Sequence, residues 1–231
     1  MNEKEVLSRI TTSRGELQLQ RWVAPDSPEK YIYEIIFNGI FLMASYNEHS
    51  SRAAATLAIE PLQVSKSRIR ALIGGLGIGF TLSAALDFHH LAHVDIVEIN
   101  EHIVQWAGTY FTRLNAHALS DPRVRLIQAD LQDYIAHSKM TYDAIILDVD
   151  NGPTMLAMES NEGLYQNPML EKLKQLLVTG GVMTIWAEKE CPDFMVRLEA
   201  MFDDAEILTV HDTDWRGHSI DYCIYRARSF S

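Results

Sequence analysis

Four short segments of this chain hold residues whose types and spacing could do chemistry. Gly74-Gly75-Leu76-Gly77-Ile78-Gly79-Phe80-Thr81 packs four glycines into six positions. Glycines let a backbone turn tightly and come close to a ligand, and a helix starting there offers unpaired N–H groups. Glu98 follows 23 residues after Gly75; a carboxylate at that place can accept both hydroxyls of a ribose. Asp130-Leu131 could read adenine, the acid accepting the exocyclic amine and the next backbone N–H meeting a ring nitrogen. Asp130 is equally suited to cap a helix. Asp148 and Asp150 stand one residue apart in Leu147-Asp148-Val149-Asp150-Asn151-Gly152-Pro153. Paired carboxylates can hold a cationic amine, and one can take its proton. That matters because a free alkylamine, with a pKa of about 10, is protonated at pH 7 and cannot attack carbon.

Such residues work only if a fold brings them to one place. The first 62 residues differ in texture from the rest. Leu17–Trp22, Tyr31–Phe37 and Ile40–Ser45 read as strands, rich in aromatic and β-branched residues. Ala24-Pro25-Asp26-Ser27-Pro28 breaks the first from the second, and Asn38-Gly39 is a two-residue hairpin turn. Ser50-Ser51 then caps an alanine-rich helix running towards Pro61. From residue 63 to 231 strands and helices alternate. Strands are expected at Ile69–Ile73, Val94–Ile99, Val124–Gln128, Ala144–Leu147 and Val182–Trp186. Helices are expected at Leu82–Leu86, Ile103–Leu114, Leu131–His137, Pro168–Leu177 (closed by Gly180-Gly181) and Asp193–Phe202. Ile207–Val210 and Tyr222–Tyr225 are two last strands with no helix between them, so an antiparallel edge is expected. The class is α/β: a mostly parallel Rossmann-like sheet with helices on both faces, preceded by a small β-hairpin arm. In such sheets ligands bind outside the carboxyl ends of the strands, and all four segments above fall at those ends.

Composition narrows the function further. Lys plus Arg is 20 and Asp plus Glu is 31, a net charge of −11. That argues against a nucleic-acid partner, which needs clustered basic groups. No apolar run approaches the length of a membrane span. The start of the chain shows no signal peptide, and the two cysteines, Cys191 and Cys223, have no framework or zinc spacing. A cytoplasmic protein is expected. His89, His90 and His93 cluster without HExxH or an acid at ligand spacing, so no metal is expected. Trp186 ends a strand and could face the ligand. The glycine loop fails two phosphate-binding patterns: Phe80 stands where GxGxxG needs its last glycine, and no GK[ST] follows. From Gly75 the loop reads GxGxG, the spacing associated with S-adenosyl nucleosides.

These residues resemble the spermidine synthase-like branch of the Rossmann-like methyltransferases. Tyr142-Asp143-Ala144-Ile145-Ile146-Leu147-Asp148 is similar to that family's YDxIhhD strand, and Gly152-Pro153 to the Gly-Pro after it. Leu164-Tyr165 and Gly180-Gly181-Val182 fall where the family has (L/F)Y and GG(V/I). Asn38-Gly39 and Tyr46-Asn47-Glu48 resemble the turn and Y-x-E of its arm. The resemblance implies that Gly75, Gly77 and Gly79 line a nucleoside loop, that Glu98 binds ribose, and that Asp130 and Leu131 contact adenine. It implies Asp148 as the catalytic carboxylate, with Asp150 nearby and Tyr46 and Tyr165 bordering the acceptor pocket. It also implies a homodimer contact through the arm. The implied reaction moves an aminopropyl or methyl group from decarboxylated or intact S-adenosylmethionine to a small amine. Two departures stand out. Aminopropyltransferases carry GGGDGG, whose acid grips the donor's ammonium, and here Gly77 takes that place. The family's DSSDPxGP is two residues shorter in this chain. Two other readings remain open at this point: a non-catalytic nucleoside-binding or scaffold protein, and an NAD-dependent oxidoreductase.

Overall fold

In a computed structural model of the chain, residues 4–25, 27–156 and 158–230 are described; Asp26, within the expected break, lies outside them. The arm is a four-stranded antiparallel sheet of β1 (Glu5–Thr12), β2 (Gly15–Ala24), β3 (Ser27–Phe37) and β4 (Ile40–Ala44), paired in that order. It is one strand larger than the sequence suggested. β1 reads EVLSRITT, is mostly exposed or half-exposed, and lacks the run of large apolar residues that marks β2 and β3. The Asn38-Gly39 turn forms as expected, with both residues at positive φ (48° and 79°). Leu17, Leu19, Ile35 and Phe37 turn one face of the arm into the main core.

The linking helix α1 (Glu48–Ile59) starts earlier than expected, after Asn47. Ser50 and Ser51 are not its cap; both are buried in its first turn. The cap is tertiary: the Ser50 N–H donates to Asp212 Oδ2 at 2.9 Å, from a strand 162 residues away. The Asn47 side chain is engaged elsewhere, accepting from Ala44 N at 3.2 Å and donating to the Tyr222 hydroxyl at 2.6 Å.

The second sheet has seven strands. They are β5 (Ile69–Gly74), β6 (Leu91–Glu98), β7 (Val124–Gln128), β8 (Tyr142–Leu147), β9 (Leu177–Ala187), β10 (Asp204–Thr213) and β11 (Ser219–Ser229), in the order β10-β11-β9-β8-β5-β6-β7. β5 to β9 run parallel, and β11 lies antiparallel between β9 and β10. The antiparallel strand is therefore one place in from the edge. A tight hairpin between β10 and β11 inserts it there. The helices are α2 (Phe80–Leu86), α3 (Glu101–Ala107), α4 (Leu131–His137), α5 (Asn167–Leu176) and α6 (Pro192–Met201). α3 stops seven residues short of Leu114, at Gly108, and turns follow. β9 starts directly after α5. Its partner in β8 jumps from Leu177↔Tyr142 to Ala144↔Val182, so Gly180 (φ 78°) sits in a bulge of the strand and does not close the helix.

Side chains of β5 alternate between two apolar layers. Ile69, Ala71 and Ile73 face α1, α2 and the arm, while Leu72 faces α4, α5 and α6. The order reverses between β5 and β8. At that switch point the loops after neighbouring strands part and leave a crevice. No described helix is long and apolar enough to cross a membrane.

Candidate active site

A cavity of about 430 Å³ opens over the carboxyl ends of β5, β6 and β8. The arm forms its roof through Leu17, Phe37, Phe41 and Met43, and Trp186 and Tyr222 form one wall. Hydrogen bonds tie the arm and α1 to the sheet. Asn151 Nδ2 donates to the Phe41 carbonyl at 3.2 Å, Asn47 meets Tyr222, and Asp212 caps α1.

Five of the ten expected site residues line this cavity: Gly75, Gly77, Glu98, Asp148 and Asp150. Gly75 sits at φ 86°, and a β-carbon there would run into the Asp148 carbonyl. The glycine loop and the acid loop thus touch backbone to backbone, which only glycine permits. Glu98 is buried and holds the glycine loop directly. Its Oε2 accepts from Leu76 N at 3.0 Å and its Oε1 from Asn100 N at 2.8 Å. Burial pushes its carboxyl above the usual range, and these backbone donors pull it part of the way back.

Asp148 is half-exposed, towards the cavity, and otherwise enclosed by protein. Desolvation raises its pKa, opposed by hydrogen bonds from Thr81 and Ser51. The Thr81 hydroxyl donates to Oδ2 of Asp148. Asp150 adopts φ 61°, unusual for a residue with a side chain. Its carboxylate accepts from Met158 N at 3.2 Å, Asn161 Nδ2 at 2.9 Å and its neighbour Asn151 N at 3.0 Å. It therefore organises the 150–161 loop as well as facing the cavity.

The other five residues sit around the cavity. Gly79 precedes α2 at φ 97°, packed on Asn115. Asp130 caps α4, accepting from Gln132 N at 2.9 Å, and pairs with Arg14 at 3.5 Å. Leu131 is buried beneath Gly74. Tyr46 packs with Trp22, Ala24 and Ile32 and stacks on Phe41, itself a roof residue. Tyr165 is buried against Phe194, and its hydroxyl donates to the Val149 carbonyl at 3.1 Å, beneath the Asp148–Asp150 turn. Burial and the charges of Asp150 and Asp148 raise its pKa.

Several cavity residues escaped the sequence reading. Arg14 arrives on the β1–β2 turn, and that turn is legible only once β1 is recognised. Met43, Asn47 and Ser51 come from the roof and α1, Glu188 from the end of β9, and Tyr222 from β11. Burial and nearby carboxylates push the Tyr222 hydroxyl up to about 12. Trp186, near the end of its strand, lines the cavity. His89 and His90 lie on a turn, and His93 pairs with the buried Asp95 at 2.8 Å. Among the described residues no cluster of His, Cys, Asp or Glu has the makings of a metal site.

Residues 55–200 match the family model described as the spermine/spermidine synthase domain. The chain belongs to that family. Its curated relatives include a polyamine aminopropyltransferase of Prochlorococcus marinus (strain MIT 9313), 28% identical over 173 residues, covering 73% of this chain and 57% of the relative. A putrescine N-methyltransferase 3 of Nicotiana tabacum is 35% identical over 122 residues, covering 52% of this chain and 30% of the relative. A polyamine aminopropyltransferase of Saccharolobus solfataricus is 30% identical over 153 residues, covering 65% and 49%. The chain thus spans about half the length, or less, of these family members. Among solved structures, a spermidine synthase in complex with the transition-state analogue AdoDATO superposes with a TM-score of 0.76 at 18% identity, over 98% of this chain and 74% of the other. The spermidine synthase from Thermotoga maritima gives 0.75 at 18%. At this identity the likeness establishes the family's fold, including the arm.

Proposed function

We propose that this protein is a transferase. It moves an alkyl group from the sulfonium of an S-adenosyl nucleoside to a small amine. The observation that carries the reading is the placement of Glu98 and Asp148 on one cavity, joined through the glycine loop between them. Glu98 takes the ribose, Gly75 and Gly77 admit the donor's tail, and Asp130 and Leu131 border the adenine. Among the described residues the cavity is lined by Glu98, Asp148, Asp150 and Glu188 against a single cation, Arg14, which suits a sulfonium and an alkylammonium together. Family membership supports the chemistry, since its named relatives are an aminopropyltransferase and an amine N-methyltransferase.

The amine enters protonated. Asp148 accepts one N–H proton, and the freed lone pair attacks the carbon bonded to sulfur, in line with the leaving thioether. The C–S electron pair returns to sulfur, and the sulfonium becomes neutral. Positioning supplies most of the acceleration, and proton removal by Asp148 the rest.

The donor is S-adenosylmethionine or its decarboxylated form, and the glycine loop has no acid to choose between them. Calorimetric binding of both, with methylthioadenosine and NAD as controls, followed by transfer to a panel of diamines, tests the reading. Binding of a sulfonium nucleoside with transfer to an amine is expected. Binding of NAD alone would replace the reading with an oxidoreductase. Nucleoside binding without transfer, unaltered by Asp148→Asn, would leave a non-catalytic binder. The arm also carries the exposed Val6, Tyr31 and Ile40, and a dimer through this sheet is part of the proposal; a native mass of 26.2 kDa would contradict it.

A further inference from the structure

Thr81 lies in the first turn of α2 with 3% of its surface exposed. Its hydroxyl has two oxygen neighbours: Oδ2 of Asp148, to which it donates, and the Ser51 carbonyl, 3.2 Å away. A hydroxyl has one hydrogen to give and lone pairs to receive, so it can satisfy only one of these acceptors at a time. The charge of Asp148 decides which. When Asp148 is ionised, the hydrogen points to Oδ2. When Asp148 carries its proton on Oδ2, that O–H donates to Thr81 Oγ1, and the Thr81 hydrogen turns to Ser51.

We propose that Thr81 is a positioning residue, a two-position hydroxyl that holds Asp148 in place in both of its charge states. The inference rests on the reading of Asp148 as the base that receives the amine's proton. In the ionised state Thr81 occupies Oδ2, the Ser51 side chain bonds the same carboxylate, and the lone pairs that remain receive the ammonium. Proton transfer breaks an N–H bond and forms an O–H bond. The ammonium becomes a neutral amine and the carboxylate a neutral acid. The amine then takes the alkyl carbon, the sulfonium takes back its electron pair, and the net charge is unchanged. The acid proton afterwards leaves to water, and Thr81 turns back. Thr81 Oγ1 is itself buried, and turning between the two acceptors keeps its hydrogen paired in both states, as buried polar groups require.

The other ionisable groups around the cavity are Arg14, Glu98, Asp150, Glu188 and Tyr222, and Tyr165 lies beneath the acid loop. None is removed by a change at Thr81, so a shift in Asp148 can be assigned to the hydroxyl. Thr81→Val keeps the volume and loses the donor; Thr81→Ser keeps the donor. The titration of Asp148 is followed by infrared difference spectra, its C=O band assigned by loss in Asp148→Asn. Thr81→Val is expected to raise the midpoint by about one pH unit, the scale of a lost hydrogen bond to a carboxylate. Thr81→Ser should hold it near wild type. The acid limb of kcat/KM should move with the band, while nucleoside affinity stays constant. An unchanged midpoint in Thr81→Val, or an equal shift in Thr81→Ser, would overturn the proposal. Should the valine variant not fold, Thr81→Ala against Thr81→Ser gives the same comparison. Failure of the transferase reading would appear separately, as no alkyl transfer by the wild-type protein, and the infrared titration would still decide the role of Thr81.

Discussion

The Met43 sulfur lies over Gly77, in the space any side chain at position 77 would enter, and accepts the Ile78 N–H at 3.3 Å. A thioether from the arm thus fills the place that an acid at position 77 would take, which the proposed function sets beside the donor's tail. The two residues are coupled, and this sets the outcome of restoring an acid. Gly77→Asp alone meets the sulfur and a φ of 50°, so it should lower the melting temperature and leave donor preference where it was. Gly77→Asp with Met43→Ala makes room. An acid about 4 Å from an ammonium at an effective dielectric of 20 contributes roughly 4 kcal/mol, and half of that exceeds tenfold in affinity. The double variant should therefore shift the Kd ratio more than tenfold towards decarboxylated S-adenosylmethionine. A ratio that does not move would mean that the donor's tail does not lie over this loop.

Asp148 carries a stability cost beside the chemistry proposed for it. Burial raises its pKa in the folded protein, so above the unfolded value the native state holds more proton than the unfolded one. Stability from this group then falls as pH rises through that window. Asp148→Asn removes the ionisation. Its melting temperature should exceed that of wild type at pH 7.5, with a smaller gap at pH 4. Transfer activity should fall by roughly 100-fold or more, the usual scale for a lost general base. Paired thermal melts and initial rates check both halves. A variant that is less stable at neutral pH would show that the carboxylate is a structural partner rather than a strained one.

The strand-end acids and the glycine loop were legible because a parallel sheet sends such residues to one edge whatever packs around them. Glu98, Asp148 and Asp150 follow directly from strand boundaries that periodicity locates well. The roof was not legible. Met43, Ser51 and Tyr222 reach the cavity only through the docking of the arm and α1 on the sheet, a tertiary event without local signal. Ser50-Ser51 misled for the same reason. Two serines before an alanine run are good caps in isolation, but Asp212 supplies the cap from across the fold. Thr81 was visible as the residue closing the glycine loop, yet its partner Asp148 lies 67 positions away.

Tyr165 holds the acid loop from below. Its hydroxyl donates to the Val149 carbonyl, between Asp148 and Asp150, and its ring packs on Phe194. Tyr165→Phe removes the hydrogen bond and keeps the packing. A neutral hydrogen bond is worth about 1 kcal/mol, so stability should drop by that order. The looser turn should lower kcat several-fold, with nucleoside affinity unchanged because Glu98 is untouched. A rise in KM for the amine with kcat constant would instead place Tyr165 in the acceptor pocket.

Glu98 serves two partners at once. Both of its oxygens accept backbone N–H groups, one from the glycine loop and one from its own strand end. Glu98→Gln keeps the shape but turns an amide NH2 group towards one of these donors. Leu76 N donates to this carboxylate, so the mismatch should show first in the loop. A charged hydrogen bond lost from a buried site costs about 1.5–3 kcal/mol, which corresponds to a roughly 10- to 150-fold loss of nucleoside affinity. The loss should be similar for S-adenosylmethionine, its decarboxylated form and methylthioadenosine, since all three carry the same ribose. Calorimetry with the three ligands reads this directly. A loss confined to ligands with an intact tail would move Glu98 from the ribose to the sulfonium end of the cavity.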